Sequence, residues 1–524
     1  MTPAFVFDVL RKHARLFRRT KRGNVVATFA MALIPMVAMV GAAVDYSRGN
    51  NAKASMQMAI DATGLMLSKD VSTLTSSQIS QKADAEFRTL LNRSDIQNLV
   101  VTPTYTSSTT NGYELNITAT GNIPVTFLNV LNLIGHGMTQ LDLSVNTLVR
   151  WGNTRLRVAL VLDNTGSMSQ YNKLPALQTA TNNLLDQLKN AAQQNGDIYV
   201  SIVPFVKDVN ADPTNYTQNW IDWTAWEAPP ANAPTPAANV GPGSSCPWTN
   251  SSKGFGCQKT PINGAASTST VPSSGTYKGY ICPSIDSGSK NTLMAGVYYN
   301  GCYNSTSCTG SGSNLNCQHA WVKNAHSTWT GCVVDRGDSS GPNTGNYDTN
   351  VVTPTTTTTA TLFPAEQYSY CPQKVMPLTY DWTALKTVVN NMVAAGNTNQ
   401  AIGLELGWMS LMGGGPFPPP PAFDPNYQYK QVIILLTDGL NTQDRWYLTA
   451  SQIDARQQLT CNNVKAANIT IYTVQVNTDG DPTSTLLQNC ASSSDKFFLL
   501  TSSTQIVTTF NQIATNLANL YLAK

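Results

Sequence analysis

The apolar and polar positions of this chain change period several times, and each change marks a boundary. Val25–Val44 is a run of twenty residues without one charge. As a helix rising about 1.5 Å per residue it spans roughly 30 Å, the thickness of a hydrocarbon core, and Pro35 in its middle is tolerated in such a helix. Ala54, Met58, Ala62, Leu65 and Met66 continue a helical pattern, and a second helical stretch covers Ser77–Leu91. Alternation then shortens to period two over Leu99–Tyr105, Tyr113–Thr120 and Gln140–Val149, which predicts strands.

From Arg155 the pattern is that of a buried parallel sheet. Arg157–Asp163 is continuously apolar up to its final aspartate, and Leu174, Leu177, Leu184 and Leu188 place a helix within Gln170–Lys189. Asp197–Val206 is a strand. After a long interruption come a helix (Asn397–Met412), a strand (Gln431–Thr437), a helix (Ser451–Ala466), strands at Ile469–Val476 and Lys496–Leu500, and a closing helix with Ile506, Phe510, Ile513 and Leu517. Strand–helix alternation of this kind predicts an α/β fold with a doubly wound, mostly parallel sheet, preceded by a transmembrane helix and a small α+β region. The interruption, 208–380, is rich in Ser, Thr, Gly, Asn and Pro and holds six of the ten Trp; it reads as a disulfide-rich, loop-rich insertion. Gly413–Pro421 is a stiff, turn-forming loop.

Charge gives the membrane helix a direction. Residues 1–22 carry seven Lys/Arg against one acid, leaving 26 bases and 29 acids for the rest of the chain, so the formal charge of +3 is a local feature and no nucleic-acid partner is expected. The positive-inside rule keeps residues 1–22 in the cytoplasm as a basic tail, makes 23–45 a single-pass inner-membrane anchor, and exports everything after it. The apolar run exceeds the h-region of a cleaved signal peptide, although Ala42–Asp45 leaves cleavage open.

Ten cysteines agree with export. Eight lie between 246 and 371, no pair has Cys-x-x-Cys spacing and the chain has four His, so disulfides fit better than a structural zinc. Cys461 and Cys490 stand apart and are expected to pair with each other; the connectivity of the other eight stays open.

The candidate chemistry sits at strand ends. Asp163-Asn-Thr-Gly-Ser167 follows the first apolar strand, Thr398 precedes a helix, and Asp438 follows the Gln431–Thr437 strand. Asp163, Thr165, Ser167, Thr398 and Asp438 thus offer two carboxylates and three hydroxyls on loops at one sheet edge, an all-oxygen set suited to a hard dication: Mg²⁺, Mn²⁺ or Ca²⁺. Taken singly, Asp163 and Thr398 equally suit helix caps, and Asp438-Gly439 an ordinary turn.

These residues resemble the metal-ion-dependent adhesion site of von Willebrand factor A domains, Asp-x-Ser-x-Ser with a distant Thr and Asp; here Thr165 stands for the first Ser. The resemblance covers 155–524 apart from the insertion. It implies a metal that bridges to an acidic residue of a protein partner. Arg22–Ala30, Val44–Ser47 and Met58–Ala62 resemble the opening of TadG/TadE-like proteins of Flp pilus assembly, which implies a periplasmic helix and small α+β region over 46–150, and pilus-assembly or envelope proteins as partners. Thr28 stands where prepilin-like processing favours Glu, so that cleavage is not expected.

Two other functions compete with metal-dependent adhesion. A phosphohydrolase of the haloacid-dehalogenase type also places Asp after an apolar strand, but its acid–base carboxylate two residues on is replaced by Thr165. No phosphate-loop or His-Glu-x-x-His motif is present, so no enzyme is expected. The remaining alternative is an envelope scaffold whose metal site does not function.

Overall fold

A computed structural model describes residues 24–522 apart from 69, 72–73, 109–111, 130–137, 152–153, 193, 232–233, 250–253, 289–291, 338–345 and 426. The basic tail expected over 1–22 lies outside the described residues. The chain separates into two compact units at 153/154.

In the first unit, one continuous helix runs Asn24–Leu67 through Pro35. Its early part leaves Phe29, Met31, Met36, Met39 and Val40 exposed, and among the described residues it is the one helix long and apolar enough to cross a membrane. Its later part turns Ala52, Met56, Ala59 and Ile60 onto a three-stranded antiparallel sheet of Gln97–Ser108, Gly112–Pro124 and Gln140–Trp151, in that order. The spacing of three and four along the helix meets the period of two along the strands, where Leu115, Ile117 and Ala119 face the core. Helix Ser76–Leu91 joins the same core and starts at a capping box between Thr75 and Gln78. Asp45 fastens the long helix to the loop after the second strand, accepting from the backbone N–H groups of Thr126 (3.2 Å), Phe127 (2.8 Å) and Leu128 (2.9 Å).

The second unit holds the doubly wound sheet. Five parallel strands stand in the order Ile198–Phe205, Thr154–Asp163, Gln428–Thr437, Thr470–Val476, Phe497–Leu500. Along Thr154–Asp163, Leu156, Val158, Leu160 and Leu162 face a core shared with helices Lys173–Ala191, Trp382–Asn390 and Thr504–Leu522. Ala159 and Val161 face the opposite core, under helices Gln400–Met412 and Ala450–Ala466. Both faces are covered, so the strand is apolar throughout rather than alternating. Helix Gln400–Met412 lies hard on the sheet: a Cβ at Gly407 would stand 2.3 Å from Val161, and one at Gly403 2.7 Å from Phe205.

The insertion is more ordered than a loop-rich segment. It contains a five-stranded sheet in the order Asn316–Lys323, Gly301–Thr309, Tyr280–Pro283, Cys257–Gln258, Ser267–Thr268. Three of the five strands are only two to four residues long, and the longer Gly301–Thr309 and Asn316–Lys323 are mostly polar, which hides them from a search for apolar periodic runs. The main sheet also extends into 208–380, because Val209–Asn210, Cys332–Val333 and Met376–Thr379 add antiparallel strands on its Ile198–Phe205 side. Disulfides join Cys246–Cys257, Cys282–Cys302, Cys308–Cys317, Cys332–Cys371 and Cys461–Cys490. Four of the insertion's six tryptophans (Trp220, Trp226, Trp248 and Trp329) are buried and serve as core.

Candidate functional site

The strand order fixes where the sheet can open. Thr154–Asp163 and Gln428–Thr437 are neighbours, and the chain winds away from them in opposite directions, which leaves a crevice at their carboxyl ends. Asp163 is the last residue of the first strand, and Asp438 follows the last residue of the second. Both are buried.

A chain of hydroxyls connects the two carboxylates. Asp163 Oδ1 accepts from the Thr165 N–H (2.8 Å) and from Thr165 Oγ1 (2.6 Å), and its Oδ2 accepts from Thr437 Oγ1 (2.6 Å). Thr165 Oγ1 and Ser167 Oγ lie 3.1 Å apart, and Ser167 Oγ donates to Asp438 Oδ1 at 2.7 Å. The loop curls because Gly166-Ser-Met-Ser169 forms a 3₁₀ turn directly after the strand, so the helix begins at Lys173 rather than at Gln170. Burial, reinforced by the charge of Asp438, pushes the Asp163 carboxyl up to about 7 against the hydrogen bonds from Thr165 and Thr437. A cation beside the two carboxylates would relieve this.

Thr398 lies on a separate loop that runs beside the Asp163 loop. Ala395 N–H donates to Asn164 O (2.9 Å) and Gly166 N–H to Gly396 O (3.0 Å), so the two loops lie side by side. The Thr398 N–H donates to Thr442 Oγ1 (2.8 Å), and its carbonyl accepts from the Thr442 and Gln443 N–H groups. The structure therefore brings Asp163, Thr165, Ser167 and Asp438 into one hydrogen-bonded set, whereas Thr398 bonds to Thr442 and Gln443 and only its neighbours Ala395 and Gly396 bond to the loop of the set. The insertion braces this loop: Asn399, which caps helix Gln400–Met412, donates to both oxygens of Asp335 (3.0 and 2.9 Å).

The donor set fits a hard dication. It offers two carboxylates and several hydroxyls, with no soft ligand, and in Asp163 a buried carboxylate with no cationic side chain paired to it among the described residues. Groups of three or more His, Cys, Asp or Glu arranged to hold a metal are absent among the described residues, so any ion here depends on hydroxyl oxygens.

Three participants escaped the sequence reading. Thr437 is one, and its position before Asp438 was the available signal. Lys173 is fully buried, with Nζ 2.8 Å from Asp438 Oδ2 and 2.6 Å from Asp479 Oδ2. Burial alone would lower the pKa of this ammonium, but the two aspartates outweigh it and hold it above its ordinary value. Asp479 follows the Thr470–Val476 strand, at the same sheet edge as Asp163 and Asp438.

Comparison with known proteins agrees with this architecture. Residues 357–512 match the von Willebrand factor type A domain family, a stretch that includes Thr398 and Asp438 but begins after Asp163, Thr165 and Ser167. Residues 23–66 match the Flp pilus-assembly TadE/G-like family. No curated protein matches the chain. Among solved structures, the chain is similar to the pilus adhesin SpaC from Lactobacillus rhamnosus GG (12% identity, 82% of this chain and 35% of that one, TM-score 0.32). It is also similar to the von Willebrand domain of the type V pili tip protein Mfa5 from Porphyromonas gingivalis (8% identity, 71% and 97%, TM-score 0.32) and to the pilus adhesin RrgA from Streptococcus pneumoniae (10% identity, 80% and 50%, TM-score 0.29). The chain spans about a third of the length of SpaC. This chain thus joins an N-terminal segment that matches the Flp pilus-assembly TadE/G-like family to a later segment that matches the von Willebrand factor type A domain family.

Proposed function

We propose that this protein is a membrane-anchored, non-enzymatic binding component of Flp pilus assembly, whose sheet domain holds Mg²⁺ or a similar dication through Asp163, Thr165, Ser167, Thr398 and Asp438. The ion is to bridge to an acidic side chain of a pilus or envelope protein. The observation that carries this reading is the hydroxyl chain linking Asp163 to Asp438 across two neighbouring strand ends. With so few anionic ligands the metal keeps its electrophilicity, and a partner carboxylate completes the shell.

Capture of envelope proteins by the full-length chain in detergent, with Mg²⁺ and with chelator, tests the reading. Capture is expected with Mg²⁺ and lost on chelation or with Asp163→Ala; equal capture in all three conditions contradicts it. The anchor is tested separately with alkaline phosphatase fusions: activity after residue 150 and none after residue 20 is expected, and the reverse contradicts export. One observation favours the scaffold alternative: Asp438 already has a cation, the Lys173 ammonium, at 2.8 Å.

A further inference from the structure

Lys173 occupies a position that is unfavourable on three counts. It is the first residue of helix Lys173–Ala191, where a positive charge opposes the helix dipole. It is completely buried, and an ammonium withdrawn from water is costly unless paired. The chain reaches it through Tyr171 (φ 51°) and Asn172 (φ 59°), two successive left-handed residues that are not glycine. An ordinary surface lysine on this helix would need none of these. All three are offset at one place, where Nζ meets Asp438 and Asp479.

We infer that Lys173 is a built-in competitor of the metal: its ammonium holds Asp438 while the site lacks a dication, and Asp479 retains it when the dication takes Asp438. The inference rests on the proposed metal site and deepens it. Asp438 divides its two oxygens, Oδ1 accepting from Ser167 and Oδ2 from Lys173, so one carboxylate faces the hydroxyl chain on one side and the ammonium on the other. A fixed positive charge there repels an incoming dication and shares the anionic charge that would attract it. Asp479, with its side chain partly exposed, gives the ammonium a second anchor that none of the five candidate ligands provides. The pair Lys173–Asp479 therefore sets metal affinity without touching the metal.

The test is Mg²⁺ titration of the full-length chain in detergent by calorimetry, with melting temperature measured with and without Mg²⁺. Lys173→Met is expected to bind Mg²⁺ at least about tenfold more tightly than wild type. Its melting temperature is expected to be lower without the ion and to rise more on adding it. Lys173→Gln removes the charge but keeps a donor toward Asp438; it decides the matter if Lys173→Met does not fold, and the same tightening is expected. Asp479→Asn releases the ammonium onto Asp438 alone and is expected to weaken binding. A merely structural ion pair would lose stability in all three variants and gain affinity in none. Unchanged or weaker binding by both lysine variants, with wild-type binding that Asp163→Ala abolishes, overturns the competitor role and leaves the metal site standing. Failure of wild type and of both lysine variants to bind Mg²⁺ overturns both.

Discussion

Leu156, Val158, Leu160 and Leu162 of the central strand are fully buried in a mostly aliphatic core that contains no cysteine, the Cys461–Cys490 bond lying on the other face of the sheet. The inserted sheet buries Trp248, Phe255, Tyr299 and Tyr303 instead, and closes around them with Cys246–Cys257 and Cys282–Cys302. The contrast is one of surface to volume. The parallel sheet has helices on both faces and enough apolar area to hold itself. The insertion buries few aliphatic residues, so aromatic bulk and covalent loops replace the missing core. The candidate metal centre belongs to the first kind of structure and is braced by the second through Asp335 and Asn399.

The largest effect is expected in the sheet. Leu160→Ala leaves a cavity at the centre of the parallel core and should cost about 3–5 kcal/mol, unfolding sheet and insertion together in a denaturant titration. Survival of the sheet at near wild-type stability would mean that the insertion carries the unit.

Removing the Cys282–Cys302 bond by Cys282→Ser with Cys302→Ser should cost about 3 kcal/mol in the chain-entropy model. That loss should stay local: hydrogen exchange speeds up across 257–323 while Gln431–Thr437 keeps its protection. Uniform loss of protection would erase the proposed difference between the regions.

The seam between them should respond to pH. Burial raises Glu405, which faces Arg336 at 2.7 Å, to about 8, and raises Asp348, paired with Arg456, and Asp444 to about 7. These groups hold protons in the folded state that the unfolded chain releases near its ordinary carboxylate values. Their contribution is therefore complete below about pH 4 and is lost as pH rises through 7 to 8. In chelator, stability should fall by on the order of 1 kcal/mol between about pH 6 and about pH 8, and Glu405→Gln should flatten part of the slope. A rise over the same interval would contradict the account of the seam.

The smallest change is expected from Tyr368→Phe, which removes the long 3.4 Å bond from the Asn397 N–H to an insertion hydroxyl. Stability should change by less than about 1 kcal/mol. A larger loss, measured by thermal melting, would show that this hydroxyl rather than Asp335 fixes the Thr398 loop.

The parts of the fold legible in the sequence are those with one dominant period. Arg157–Asp163 and Gln431–Thr437 read as buried strands because both their faces are apolar, and the closing helix reads from Ile506, Phe510, Ile513 and Leu517, all buried on one side. The insertion's sheet is not legible because Cys257–Gln258 and Tyr280–Pro283 are too short to have a period, and the longer Gly301–Thr309 and Asn316–Lys323 are mostly polar and half exposed. Asp163 and Asp438 were legible as candidates because each ends an apolar strand. Lys173 was not: a lysine at a helix start normally points to water, whereas here it follows two left-handed residues, Tyr171 and Asn172, and its ammonium is buried against Asp438 and Asp479. Asp479 became meaningful only with that ammonium beside it.

The central claim is that the five oxygen-bearing residues hold a dication, and calorimetric titration of Mg²⁺ into the full-length wild type and Asp163→Ala tests it most directly. The account predicts one saturable site in the wild type, no binding by Asp163→Ala, and closely similar circular dichroism for the two, since the apolar strands hold the sheet without the ion. Equal binding by Asp163→Ala, or none at about 10 mM by either wild type or Lys173→Met, a weak-affinity limit, would contradict it.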